Sequence, residues 1–182
     1  MRRLAVVMVV ASALVARAPG ARAQEMLAFT VPAAPWRLML PKRTIRVEEQ
    51  RVDPNGRSGY FTMLDATTNI TISFFIEPVG ACGDSRACRD SVRARGNPSW
   101  EDPQQMSDGK FGDISYFQFY MPSYAGVPVR QENLYAEFVQ DGFWVDLHLS
   151  KVRYSPSDHA RFEAIVKSIR FEAKNPPPAK ED

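Results

Sequence analysis

The chain has 182 residues, of which 45% are hydrophobic and 11% aromatic, a content that excludes a disordered protein and suits one hydrophobic core. Of its 23 basic side chains, Arg2, Arg3, Arg17 and Arg22 fall in the first 23 residues, so the remaining 159 residues carry 19 basic against 21 acidic groups, a net of −2. That balance excludes a bulk electrostatic pull toward nucleic acid or anionic lipid, and no nucleic-acid partner is expected.

Residues 1–23 read as a cleavable signal peptide. Arg2 and Arg3 make a basic start, residues 4–16 are apolar apart from Ser12, and Ala21-Arg22-Ala23 is a small-x-small cleavage site before Gln24. A spanning helix needs about 20 apolar residues, so no transmembrane anchor is expected after cleavage. No cysteine follows the cleavage point to accept a lipid, and the residues around the arginine pair fit ordinary secretion better than twin-arginine export. The protein is expected to be exported, periplasmic or secreted. In an oxidising compartment Cys82 and Cys88, the two cysteines of the chain, are expected to form a disulfide. Their spacing is not the C-x-x-C of redox enzymes, and no further cysteine completes a zinc site.

Residues 24–35, with two prolines and little pattern, read as a flexible N-terminal arm. Trp36, Leu38 and Leu40 alternate with Arg37 and Met39 as in a strand, which Pro41 interrupts. Residues 44–52 continue in extended style, and Pro54-Asn55-Gly56 is a turn. A strand over 59–65 precedes the clearest one, in which Ile70, Ile72, Phe74 and Ile76 alternate with Thr71, Ser73, Phe75 and Glu77. Phe75 on the polar side implies that this side is partly covered. Asp84 or Ser85 can cap a helix that runs to about Arg95 and stops at Gly96-Asn97-Pro98. Its apolar side is thin, so a Cys82–Cys88 bond would pin its first turn.

Residues 99–112 read as a loop with strand pieces, 114–121 as an aromatic strand, and 122–128 as a break. Residues 129–140 and 143–151 form a hairpin across Asp141-Gly142, a type I′ turn. Ser155, Pro156 and Asp158 open a last helix that buries Phe162, Ile165, Val166 and Ile169. Phe171 ends a single α+β domain over 36–172, an antiparallel sheet packed with helices, and residues 173–182, with three consecutive prolines, read as a disordered tail.

Across 36–172, the early strands with Ile70-Thr71-Ile72-Ser73-Phe74-Phe75, the middle helix, the Asp141-Gly142 hairpin and the closing stretch from Phe162 to Phe171 resemble the PsbP-like α/β sandwich. Photosystem extrinsic proteins, a Ran-binding protein and many bacterial exported proteins share that architecture. The resemblance implies a fold and a bias toward binding or assembly. It implies no catalytic residue, because the family has no common catalytic set.

The type I′ turn fixes the hairpin register. Leu134, Ala136 and Phe138 face Leu149, Leu147 and Val145 on the core side. The other side pairs Tyr135 with His148 and Glu137 with Asp146. Two carboxylates directly opposite repel, which a cation or a raised pKa would relieve. Tyr135, Glu137, Asp146 and His148 are therefore the candidate binding, metal or acid–base face; the plainer reading is a solvated face. Arg86, Arg89, Arg93 and Arg95 form a basic helix surface, either solvated or turned to an acidic partner. The aromatic run 116–124 is either sheet core or a recognition surface.

The chain lacks G-x-S-x-G, G-x-G-x-x-G, the P-loop pattern and H-E-x-x-H, so no cofactor is expected and an enzyme is the less favoured reading. The leading expectation is a non-catalytic binding or assembly module of the cell envelope with an envelope protein or component as partner. The alternatives are a metal-binding protein or enzyme using the hairpin's polar face, and a small-ligand carrier with its cavity between helix and sheet.

Overall fold

Alternating apolar residues build the central sheet of the computed structural model, which describes residues 24–98 and 100–174. Residues 1–23, read above as a signal peptide, and residues 175–182, read as part of the tail, lie outside the described residues. Ten strands and two helices follow in the order β1 (Met26–Phe29), β2 (Trp36–Pro41), β3 (Ile45–Val52), β4 (Gly59–Asp65), β5 (Ile70–Pro78), α1 (Ser85–Arg95), β6 (Gln104–Phe111), β7 (Ile114–Tyr124), β8 (Val127–Gln140), β9 (Phe143–Lys151), α2 (His159–Ser168) and β10 (Arg170–Ala173). A short 3-10 turn, Pro156–Asp158, leads into α2.

The strands form two antiparallel sheets. The larger has the order β3-β4-β5-β9-β8-β7-β6 and the smaller β1-β2-β10. One face of the large sheet packs on the small sheet and α2. Ile72, Phe74, Leu134, Leu147 and Leu149 meet Phe29, Trp36, Leu38, Phe162 and Val166 in one buried cluster. The opposite face carries Phe117, Phe119, Tyr135 and Trp144, which pack under Cys88 and Val92 of α1. The result is an α+β sandwich of three layers, as expected.

The hairpin forms in the expected register, from Gln140 opposite Phe143 to Glu132 opposite Lys151. Asp141 and Gly142 sit at φ 48° and 78°, the positive pair that a type I′ turn requires. The helix bounds also agree: Asp84 Oδ1 accepts the Ala87 N–H, and Gly96 stops α1 at φ 64°. The disulfide is in place, with the Cys82 and Cys88 Cα atoms 4.7 Å apart.

Five local readings need correction. Residues 24–35 are not a flexible arm: Met26–Phe29 pairs with β2, and Phe29, Val31 and Ala34 are buried in the main cluster. Those apolar side chains carry no period, because a four-residue edge strand followed by turns is too short to show one. Phe171 does not merely end the chain's fold. It lies in β10, opposite Leu38 of β2, and its ring meets Trp36 edge-on at 4.7 Å. The tail reading fails at its start, since Lys174 Nζ donates to the Val31 and Pro32 carbonyls. The break over 122–128 is a second two-residue hairpin, with Ala125 and Gly126 at φ 48° and 75° and a bulge between Met121 and Ser123 that accommodates Pro122. The strand pieces expected within 99–112 are one strand, β6, bulged at Gln105.

Candidate functional site

Strand alternation places Tyr135, Glu137, Asp146 and His148 on the face of the large sheet that looks toward α1. Along one row run Tyr60, Phe75, Asp146, Glu137 and Ser115, each paired with the next across β4, β5, β9, β8 and β7. In the adjacent row Ser73, His148, Tyr135 and Phe117 are neighbours.

The expected solvated face is not observed, because α1 covers this part of the sheet. Its first residue is tied there: Ser85 Oγ accepts the Ser115 N–H at 2.7 Å and donates to the Glu137 carbonyl at 2.6 Å. Glu137 is 0% exposed. Its Oε2 accepts the Trp144 indole N–H at 2.6 Å, while Oε1 and the Asp146 Oδ1 have no hydrogen-bond partner. Burial, and then the Asp146 charge, push the Glu137 carboxyl well above the usual range. Burial raises Asp146 to about 7, with Glu77 adding to the shift and Arg95 opposing it.

His148 does not join the carboxylates. Its ring stacks on Tyr135 at 4.2 Å, and Nε2 is hydrogen-bonded to Asn133 Oδ1 at 3.0 Å. Burial lowers its pKa to about 4, so it is a neutral packing residue at neutral pH. Tyr135 OH accepts the Trp100 indole N–H at 3.2 Å. The structure therefore brings Glu137 and Asp146 together and turns His148 away. Among the described residues no three histidine, cysteine, aspartate or glutamate side chains converge as a metal site. Chemically, the pair can hold a proton or receive a donor.

The basic helix surface is largely neutralised from within. Arg93 makes a bidentate pair with Asp108 of β6 at 2.6 and 2.7 Å, and Arg89, itself buried, bonds Asp90. Of the aromatic run, Phe117 and Phe119 are core and Tyr116 stacks on Phe111 at 4.3 Å.

Sequence reasoning missed the open half of the same face. Among the described residues no helix lies over β3–β5 on this side, and Phe75 is 49% exposed in mid-strand where partial cover was expected. Tyr60 packs on it at 4.6 Å, and the Arg51 guanidinium lies 5.4 Å above the Tyr60 ring. The signal was present in Phe75 itself, an aromatic side chain on a strand face otherwise made of Thr71, Ser73 and Glu77. A separate open depression of about 230 Å³, lined by Met26, Leu40, Ile45 and Ile165, lies between α2 and the strands.

No family model matches the chain, and no curated protein does. Among solved structures it matches the solution structure of cyanobacterial PsbP (CyanoP) from Synechocystis sp. PCC 6803, with a TM-score of 0.51 over 87% of this chain and 99% of that one. The fold is PsbP-like. At 10% identity the likeness carries architecture alone. In this PsbP-like sandwich, α1 and the small sheet cover opposite faces of the large sheet, and among the described residues Phe75 of β5 stays exposed on the α1 side.

Proposed function

We propose that the protein is an exported, non-catalytic binding module of the cell envelope that docks a protein partner on the open face of β3–β5. The observation that carries this reading is Phe75, half exposed in the middle of a seven-stranded sheet and flanked by Tyr60 and Arg51. Aromatic and arginine side chains dominate protein–protein hot spots, and a mid-sheet phenylalanine left in water loses apolar burial that a partner would restore. The disulfide supports an oxidising destination. The withdrawal of His148 from the carboxylates argues against the metal or acid–base alternative.

The test is site-specific photocrosslinking in the native host, with the photoreactive residue at 75 or 60 and a control at Val152, which is equally exposed. One discrete adduct from 75 and 60 and none from 152 is the expected result. Adducts of equal yield from all three positions would remove the assigned face.

A further inference from the structure

Glu137 and Asp146 are directly opposed on β8 and β9, in the layer between the sheet and α1. Each keeps one buried oxygen without a donor, Glu137 Oε1 and Asp146 Oδ1. The Trp144 indole satisfies only Glu137 Oε2. The charged groups facing the pair are Arg95 from α1 and Glu77 from β5; Tyr135 of β8 and Tyr60 of β4 face the neighbouring part of this layer. Ser115 of β7 and Phe75 of β5, both uncharged, complete its row. Among the described residues neither carboxylate belongs to an ion pair, although Arg95 acts on both from further away.

Two adjacent carboxylates in such a layer cannot both ionise without a counter-charge. Two oxygens and no third ligand make a poor cation site. One proton between the two groups removes the repulsion and supplies the donor that the unpartnered oxygens lack. The same residue also anchors the helix, since Ser85 bonds the Glu137 carbonyl. We propose that Glu137 and Asp146 share one proton at neutral pH, and that losing it as pH rises loosens α1 from the sheet, making the pair a pH-sensitive latch.

The raised carboxyl pKa values agree with this arrangement. The direction follows from linkage. In the unfolded chain both groups are ionised above about pH 5, whereas the folded protein still holds a proton. Stability is therefore greatest on the acid side and falls as pH rises through the folded values. It levels off once the second proton has left. For one proton the folding constant falls up to about tenfold per pH unit inside that window.

The experiment measures urea unfolding and amide hydrogen exchange between about pH 6.5 and 8.5, a range in which His148 stays neutral. The proteins compared are wild type, Glu137→Gln and Asp146→Asn. Wild type should lose stability by about tenfold or more in the folding constant across this range. The protection factors of α1 should fall before those of α2. Either variant should flatten the loss. Infrared difference spectroscopy of wild type should show a protonated carboxyl near neutral pH that Asp146→Asn or Glu137→Gln removes, a readout that needs only one variant to fold. Flat wild-type stability, the same slope in the variants, simultaneous loss of α1 and α2 protection, or no protonated carboxyl would each overturn the proposal.

Discussion

Tyr135 and Asn133 hold the His148 ring in a partly buried slot, and that slot has a pH consequence opposite to that of its carboxylate neighbours. The folded pKa is depressed to about 4 from 6.5, so below pH 6.5 the unfolded chain takes up a proton that the folded protein refuses. This group therefore contributes stability that is lost as pH falls through the folded value. In an NMR titration the His148 ring protons should shift with a midpoint about 4; a midpoint about 6.5 would show an open ring. The pairing of Tyr135 with His148 and Glu137 with Asp146 was legible in the sequence, because a type I′ turn fixes register by counting. What those side chains face was not legible. Alternation assigns a residue to one side of a sheet and is silent on which helix covers that side.

At the scale of elements, α1 shows how a polar helix is retained. Only Cys88, Arg89 and Val92 of its eleven residues are buried, so packing alone holds it weakly. The Cys82–Cys88 bond, the Asp84 cap, the Ser85 bridge and the Arg93–Asp108 pair supply the rest. Replacing both cysteines by serine should cost about 2 kcal/mol by the chain-entropy model, read as a lower urea midpoint. Loss of helical signal without loss of sheet signal would mark α1 as the part released. The helix bounds were legible because the caps are chemical signals. β6 was blurred by a positive φ at Gln105 that no glycine announced, and β10 is too short for a period to appear.

On the scale of the whole molecule, the N-terminal strand closes the main core rather than trailing from it. Phe29 is 1% exposed and meets Phe61 and Phe74 edge-on at 5.4 and 5.1 Å. A chain starting at Trp36 would lose Phe29, Val31 and Ala34 from that core. It should be destabilised by about 3 kcal/mol or more, seen in thermal unfolding, whereas an unchanged midpoint would restore the reading of a flexible arm. Among the described residues the same layered plan leaves one part of the large sheet without a cover, over β3–β5, and the proposed function rests on that face. Crosslinking from position 75 in the native host tests it most directly. One discrete adduct is expected, abolished when Tyr60 and Arg51 are both changed to alanine in a protein that still folds. An adduct pattern indifferent to those changes, or shared with position 152, would contradict it.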